Sequence, residues 1–352
     1  MRSLRKERFR QACRGMTRWL LALALVVAFP LWANAQTPDM FNPASPDATE
    51  IRELFYLVLA ISAIIFLLVG GALAYFIIRF RDPPGAPRDD SEPPQIYGSQ
   101  PIEIAWTLAP TLIVLVLSLV VIRSVIAMRS ETPVAGELRV RAVGHQWWWE
   151  FEYPDLGFTT ANQLVIPTSE EDAEKPVFMQ LESADVIHSF WVPKLAGKTD
   201  LVPAQTNRMR LQADTPGIYE GRCAEYCGTQ HARMLIQVTA VSQAEFDAWA
   251  ENQKKNAVVA PGVDEGRQIF MAQACANCHT IRGEPAVGKF GPDLTHLMSR
   301  TTIAAGVLEN NRENLSDWLA DPDNAKPGSH MPNMRLSPTE VKQLVDYLMT
   351  LE

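Results

Sequence analysis

The sequence predicts a multidomain protein with a two-helix transmembrane hairpin, an all-β sandwich and a small all-α domain. Three observations support this fold class. The apolar residues of this 352-residue chain concentrate before residue 129, in long runs without a charge. From about residue 137 to residue 241, short segments alternate apolar and polar residues, which is the period of strands. Beyond residue 262, a C-x-x-C-H motif is flanked by helical patterns.

Residues 1–35 are predicted to be a cleaved signal peptide. Basic residues precede an apolar segment from Trp19 to Leu31, and Ala33-Asn34-Ala35 has the A-x-A form of a cleavage site. The mature chain would then begin at Gln36. The alternative is a retained membrane anchor, for which the apolar segment is short. Cys13 precedes that segment and is assigned no role.

Residues 36–130 are predicted to form the transmembrane hairpin, with spans at about 54–78 and 104–126. The first uncharged run has 25 residues and the second, from Ile104 to Ile122, has 19, so each can cross a bilayer. A buried soluble hairpin is the alternative, which two such runs around a polar loop disfavour. If the mature N-terminus is exported, the two spans return the chain to the outer face. Basic residues in the intervening loop give this orientation modest support.

Residues 131–247 are predicted to form the sandwich. Leu138 to Val143, Val177 to Leu181 and Met209 to Leu211 alternate apolar with polar residues, and Leu235 to Val241 has the pattern of a closing strand. Gly and Pro interrupt these segments, as the turns of a sandwich require. The net charge of the whole chain is −8, which suggests no nucleic-acid partner.

The densest group of metal-binding side chains lies in one twelve-residue stretch of the sandwich. Cys223, Cys227, His231 and Met234 offer two thiolates, an imidazole and a thioether, and His188 adds an imidazole from another segment. This is a soft ligand set of the kind that selects copper. One alternative is a disulfide, the usual state of two cysteines in an exported chain; the following His and Met disfavour it. The other is tetrahedral zinc, which gives no reason for the methionine.

This stretch, with its flanking Gly221 and Gly228, resembles the dinuclear copper centre, CuA, of cytochrome c oxidase subunit II. The strands around it are then similar to the cupredoxin sandwich of that family. The resemblance implies bridging thiolates from Cys223 and Cys227, terminal imidazoles from His188 and His231, and weak axial bonds from Met234 and the backbone carbonyl of Glu225.

Three more residues match positions that have roles in that family. Trp147, in an aromatic cluster, matches the residue at which electrons reach the subunit, although Trp148 follows where the family often has Tyr. Glu103, at the start of the second span, matches a carboxylate near the cytoplasmic mouth of a proton channel in subunit I. The Glu225 side chain matches a ligand of a magnesium ion shared with subunit I. The alternatives are core or membrane-interface packing for the aromatic residues and ordinary solvation for the two acids.

Residues 248–261 are predicted to be a linker, and residues 262–352 resemble a class I cytochrome c. In the C-x-x-C-H motif, Cys275 and Cys278 would each add to one haem vinyl group and His279 would bind the iron. The adjoining His and the exported context disfavour a redox dithiol or half of a zinc site. The segment Gly291-Pro292-Asp293-Leu294 resembles the cytochrome c segment whose proline carbonyl orients the iron-binding His.

Two helices of this domain are predicted. Asp264 to Ala274 has an amphipathic pattern, and Ser337 to Glu340 forms a capping box with Pro at the first helical position. The last helix would then carry Val341, Leu344, Val345 and Leu348 on one face.

The sixth iron ligand is predicted to come from the segment Gly328 to Met334. Met331 is favoured because it precedes Pro332, as in the Met-Pro ligand loops that this segment resembles. A methionine ligand raises the haem potential relative to a second histidine, which suits a carrier that feeds copper. Met334 is expected to pack at the haem edge, and His330 is expected to face solvent.

The resemblance covers nearly the whole mature chain, which is identified as a member of the cytochrome c oxidase subunit II family with a fused cytochrome c. It implies a protein of the bacterial inner membrane, with the copper and haem domains on the periplasmic face. Electrons would pass from a donor such as cytochrome c through haem c and CuA to subunit I, where oxygen is reduced to water with proton translocation. Subunit I and the other oxidase subunits would be its partners.

Two other functions stay open. A quinol oxidase subunit with a vestigial domain is disfavoured by the retained copper ligands. A stand-alone electron carrier or copper-binding protein is disfavoured by the hairpin and by Glu103. The cytochrome domain has 8 Lys and Arg against 12 Asp and Glu, a formal charge of −4 before haem is added, so a basic soluble donor with salt-sensitive association is expected.

Overall fold

The computed structural model describes residues 39–81, 92, 94–128, 132–169 and 175–352. The predicted signal peptide, the cleavage site after Ala35, Cys13 and most of the loop between the two predicted spans lie outside the described residues.

Two long helices form the N-terminal part: α1, Pro46–Arg79, and α2, Gln100–Met128. The Ser45 side chain accepts a hydrogen bond from the Ala48 N–H, and Pro46 begins α1, as at a typical helix start. The two helices contain the predicted spans and are long and apolar enough to cross a membrane. Almost all side chains in the most apolar stretch of each helix are exposed within this chain, so these surfaces suit lipid or another subunit.

Residues 132–169 and 175–241 contain the strands of two five-stranded sheets. Their bounds are β1 Leu138–His145, β2 Trp148–Tyr153, β3 Phe158–Ala161, β4 Gln163–Pro167, β5 Val177–Ser183, β6 His188–Trp191, β7 Thr199–Leu201, β8 Asn207–Leu211, β9 Gly217–Cys223 and β10 Leu235–Val241. The strand order is β3-β2-β1-β5-β8 in one sheet and β4-β10-β9-β6-β7 in the other. The predicted all-β class is confirmed, and the predicted closing strand is β10.

The core of the sandwich lies between the two sheets. Alternate residues of β2 point into it, and Trp149, Phe151 and Tyr153 are fully buried. The buried Tyr153 hydroxyl donates to the Val165 carbonyl at 2.7 Å and accepts from the Val165 N–H at 3.0 Å, so its polar end is satisfied. This packed core gives the loops at the strand ends a rigid base.

Helix α3, Gln243–Gln253, follows β10 and begins with a capping box between Ser242 and Glu245. Phe246 and Ala250 pack in the sandwich core. The helix therefore extends into the range 248–261 that the sequence predicts as linker. Polar residues on the exposed side of the helix dominate the composition of this range. The short apolar stripe on its other side is therefore not evident from composition.

The C-terminal domain is mainly helical. Its elements are α4 Asp264–Ala272, α5 Cys275–Cys278, β11 Thr302–Ile303, β12 Leu308–Glu309, α6 Arg312–Ala320, α7 Pro322–Ala325 and α8 Pro338–Leu348. The predicted capping box at the start of α8 is confirmed, with both of its hydrogen bonds present. The predicted apolar face of α8 is buried. Helix α4 ends two residues earlier than predicted, and its Phe270 ring lies 5.9 Å from that of Tyr347 on α8.

Candidate metal centre and cofactor pocket

Strand ends position the residues predicted to bind copper. Strand β9 ends at Cys223, and a short 3-10 turn, His231–Arg233, precedes the neighbouring strand β10. Cys227 therefore lies on the loop between two antiparallel strands. Strand β6 begins at His188 and pairs with β9, with Phe190 opposite Cys223. This pairing brings the distant histidine beside the loop.

The two thiols face each other, with 3.8 Å between the Sγ atoms of Cys223 and Cys227. This distance is too long for a disulfide bond, and both thiols are buried. One imidazole approaches each sulfur. The Nδ1 atom of His188 is 3.9 Å from Cys223 Sγ, and the Nδ1 atom of His231 is 3.7 Å from Cys227 Sγ.

Each sulfur also has a weaker donor close by. The Glu225 carbonyl oxygen is 3.2 Å from Cys223 Sγ, and the Met234 Sδ atom is 3.9 Å from Cys227 Sγ. The structure thus brings together all six donors that the sequence predicts. Their chemistry, with two thiols, two imidazoles, a thioether and a carbonyl, fits copper.

Each of the two thiols shifts the pKa of the other. The pKa of Cys223 is lowered to about 3, chiefly because the Cys227 thiol donates to its thiolate and despite the opposing effect of burial. The pKa of Cys227 is raised because the Cys223 thiolate and burial both favour its protonated form. Without metal, Cys223 therefore favours the thiolate form and Cys227 keeps its proton. A bound cation would displace it, because thiolate is the metal-binding form.

Asp185 holds the ring of His188 in place. Its carboxylate is 2.8 Å from His188 Nε2 and also accepts from the backbone N–H groups of Gln146 and Val186, at 2.7 and 2.6 Å. Burial by itself would lower the pKa of His188, but the bonds of its ring to Asp185 and Cys223 raise it overall. The carboxylate thus leaves Nδ1 turned to the sulfur. The sequence alone assigns Asp185 no role. Its position three residues before the predicted ligand His188 is the one sequence feature that indicates this contact.

Trp147 contacts the loop between β9 and β10, residues 224–234, which we call the copper loop. Its Nε1–H donates to the Cys227 carbonyl at 2.8 Å, and the Gln146 side-chain amide donates to the same oxygen at 2.8 Å. Only 8% of Trp147 is exposed. The ring of His330, from the C-terminal domain, covers it with 4.6 Å between ring centroids. His330 was expected to face solvent; although largely exposed, it packs on this tryptophan.

The second site is a cavity of about 570 Å³ between the two domains. Cys275, Cys278, His279 and Met331 line it from the C-terminal domain, with Met334 at the same wall. Residues of the sandwich, Trp147 among them, complete its lining. Met331 also packs against the core of the C-terminal domain. The two thiols, the imidazole and a thioether that the sequence predicts as haem contacts therefore share one apolar cavity.

His279 is oriented as the sequence predicts. Its Nδ1 atom is 2.8 Å from the Pro292 carbonyl oxygen, which leaves Nε2 as the nitrogen available to iron. Gly291 permits this placement, because a Cβ there would lie 2.6 Å from the ring. Burial lowers the pKa of His279, which favours the neutral ligand form.

Arg300 is a feature of the cavity that the sequence does not reveal. It is partly buried, and burial lowers its pKa to about 10. Its guanidinium donates to the Asp293 carbonyl, while its Nε atom has no hydrogen-bond partner among the described residues. A partly buried guanidinium at the wall of this cavity, with an Nε atom that has no partner among the described residues, suits an anionic group of the occupant, and haem carries carboxylates. The residues present therefore fit haem.

Three family models match the chain in the order of its predicted parts. The transmembrane domain of cytochrome c oxidase subunit II matches residues 30–123, and the periplasmic domain of the same subunit matches residues 158–241. The cytochrome c family matches residues 263–352.

Curated relatives extend over most of the chain. Cytochrome c oxidase subunit 2 of Alkalihalophilus pseudofirmus is 35% identical over 88% of this chain and 90% of its own length. The protein of the same name from Bacillus subtilis is 31% identical over 95% of this chain and 98% of its own length. Quinol oxidase subunit 2 of Bacillus subtilis is 28% identical over 68% of this chain and 73% of its own length.

Proposed function

This chain belongs to the cytochrome c oxidase subunit II family, and from that premise we propose that it carries electrons from a donor through haem c and CuA to subunit I. Its C-terminal part is a cytochrome c domain. Reduction of oxygen to water, coupled to proton translocation, would take place in subunit I.

The paired arrangement of donors is the observation that carries the proposal. Each cysteine sulfur has its own imidazole and its own weak donor within 3.2 to 3.9 Å. A structural zinc site gathers four ligands around a single point. A duplicated set around two facing sulfurs supports two metal ions bridged by both thiolates. Bound copper would supply a one-electron acceptor there. The strand ends hold the donors in place, which limits rearrangement when the charge changes.

The C-terminal cavity supports haem c. Cys275 and Cys278 would hold the haem through thioether bonds, and His279 and Met331 would bind its iron. The bound haem would supply a reversible one-electron centre. The residues of the chain surround it with a mostly apolar cavity, orient the imidazole through Pro292 and offer a partly buried guanidinium at Arg300. This cavity reaches the sandwich at Trp147, which supports that residue as the point where electrons reach the copper domain.

Two acidic residues would connect this chain to subunit I. Glu103 is exposed in the first turn of α2, which suits a place near the mouth of a proton channel in subunit I. Glu225 turns its carbonyl to the copper centre while its side chain remains exposed. That carboxylate would bind a magnesium ion shared with subunit I.

The location follows from the two apolar helices and the matched transmembrane domain, which indicate a membrane protein. We place the copper and haem domains on the periplasmic face of the bacterial inner membrane. The exposed apolar sides of α1 and α2 would meet lipid, subunit I and other oxidase subunits. A quinol oxidase subunit would have no use for the paired copper ligands, which favours a cytochrome c donor.

Metal analysis of the full chain, purified in detergent with its associated subunits, tests the proposal. We expect two copper ions and one covalent haem in this chain, in addition to the metals of the associated subunits, with a mixed-valence electron paramagnetic resonance signal and oxygen reduction by the assembly. A single-copper signal, or zinc in place of copper, would reject the copper assignment.

The order of transfer has a test of its own. Trp147→Ala should slow reduction of copper and leave reduction of haem intact. Equal slowing of both would indicate misfolding, and no effect would remove Trp147 from the path.

A further inference from the structure

We propose that Lys326 and His330 fasten the cytochrome domain to the copper domain, and that the His330 ring is the contact through which electrons leave the haem cavity for Trp147. This inference rests on the proposed function and deepens it by naming two positioning residues between the domains. Both lie on residues 325–330, which we call the bridge segment.

His330 connects the cavity with the copper loop. It lines the cavity beside Met331, and its ring lies 4.6 Å from that of Trp147 with the ring planes at 56°. Trp147 in turn donates to the Cys227 carbonyl at 2.8 Å. One aromatic contact and one hydrogen bond therefore join the wall of the cavity to a residue predicted to bind copper.

Lys326 is a buried lysine at the centre of this contact. It is 4% exposed, and its Nζ atom donates to the Trp147 carbonyl at 2.9 Å. Burial of an ammonium group is costly unless it is well paired, and here burial lowers the pKa to about 7 although the nearby Cys227 opposes this. A buried lysine that holds the backbone of Trp147 ties this tryptophan to the cytochrome domain.

The copper loop binds the same segment from its own side. The buried side-chain amide of Gln230 donates to the Pro327 carbonyl, and the Arg233 guanidinium donates to the Ala325 carbonyl at 3.1 Å. Both donors flank His231 on the copper loop. Three successive residues of the bridge segment therefore contact the copper domain, three to five residues before His330.

The closed contact also determines where an external donor can act. Because Trp147 is 8% exposed and covered by His330, a separate protein has little access to it. The donor must then reduce the cytochrome domain. With haem and copper bound, this contact would carry one electron from the reduced haem iron to the oxidised copper pair, and no bond would form or break.

His330 variants of the full oxidase assembly test the contact. After rapid photoreduction of haem c, His330→Ala should lose the fast phase of copper reduction, whereas His330→Phe should retain it because a ring still packs on Trp147. Phe290→Ala, which removes an exposed ring from the rim of the same cavity, is the matched control and should transfer normally. The haem potential, the sulfur-to-iron near-infrared band and the copper spectrum should stay unchanged in all three.

Lys326→Met tests the fastening, with Lys342→Met as control because Lys342 is an exposed lysine of the same domain, paired with Asp346. Lys326→Met should increase hydrogen–deuterium exchange in the bridge segment and slow copper reduction, with both spectra preserved. The inference is overturned if His330→Ala transfers as fast as the parent, or if Lys326→Met changes neither exchange nor rate. A parent protein in which reduced haem never reduces copper would instead contradict the proposed function.

Discussion

The copper centre and the haem cavity are built in different ways. At the copper centre a single domain supplies every predicted ligand from strand ends, and the donors stand 3.2 to 3.9 Å from two facing sulfurs. At the haem cavity the protein supplies few ligands and a space of about 570 Å³ whose walls come from two domains. The copper geometry thus depends on strand pairing within one domain, whereas the surroundings of the haem depend on how two domains dock.

In both sites an oxygen atom of the protein orients an imidazole predicted to bind metal. In each, the nitrogen of an imidazole that faces away from the metal position is bound by an oxygen, of Asp185 for His188 and of Pro292 for His279. A glycine packs against each ring: a Cβ on Gly144 would lie 2.8 Å from His188, much as one on Gly291 would meet His279. The oxygen that binds the imidazole differs in charge between the two sites: the Asp185 carboxylate is charged, and the Pro292 carbonyl is neutral. The copper-side imidazole is therefore the more strongly polarised ligand.

Loss of one bridging thiol should have the largest effect and separate the two sites. Cys227→Ser should abolish the dinuclear copper spectrum, because a serine hydroxyl stays protonated and cannot bridge. Covalent haem should remain at its normal content. The measurements are copper content, electron paramagnetic resonance and the haem absorption spectrum. The matched variant Cys278→Ser should do the reverse, weakening haem attachment while the copper pair remains; a copper pair in Cys227→Ser would contradict the assignment.

Removal of the predicted iron ligand should affect only the haem. Met331→Ala should lose the sulfur-to-iron near-infrared band and lower the haem potential, since a thioether ligand raises that potential. The thioether bonds to haem and the copper spectrum should persist. Met334→Ala is the control on the same cavity wall. If that control loses the band and Met331→Ala keeps it, the ligand lies three residues later than predicted.

Asp185→Asn should sharpen the comparison between a charged and a neutral partner of the imidazole. It keeps the shape of the side chain but removes the charge that polarises His188, and loss of such a partner typically lowers metal affinity by about 10- to 100-fold. Titration of the purified chain with copper against a competing chelator measures this. Asp200→Asn, on the neighbouring strand β7, is the control. Equal affinities for Asp185→Asn and the parent would show that the carboxylate has no part in holding the ligand.

The capping boxes of the two domains should give the smallest effects. Ser242 starts α3 of the copper domain and Ser337 starts α8 of the cytochrome domain. Substitution of either by Ala should lower the free energy of unfolding by about 1 kcal/mol. Urea unfolding followed separately by copper and by haem absorbance should show Ser242→Ala mainly in the copper signal and Ser337→Ala mainly in the haem signal. A reversed pattern would contradict the division of the chain into these two domains.

The sequence by itself determined the features that depend on neighbours along the chain. Cys223, Cys227, His231 and Met234 lie on one loop, so their spacing alone showed that they can share a site. The capping box at Ser337 and the buried face of α8 follow from helical periodicity in the same way. The long uncharged runs predicted α1 and α2, because the length and polarity needed to cross a bilayer are properties of a continuous segment.

Only the tertiary structure decided the contacts between distant segments. His188 reaches the copper loop through the pairing of β6 with β9. Asp185, three residues before it, is brought to the same place and contacts its ring. Lys326 bonds to Trp147 across 179 positions of sequence, and no local pattern marks such a pair. In sequence, Lys326 is one charged residue among many; it becomes distinctive only when docking of the two domains removes it from water. Whether a residue is buried depends on which distant parts of the chain pack against it. The spacing of residues along one segment does not contain that information.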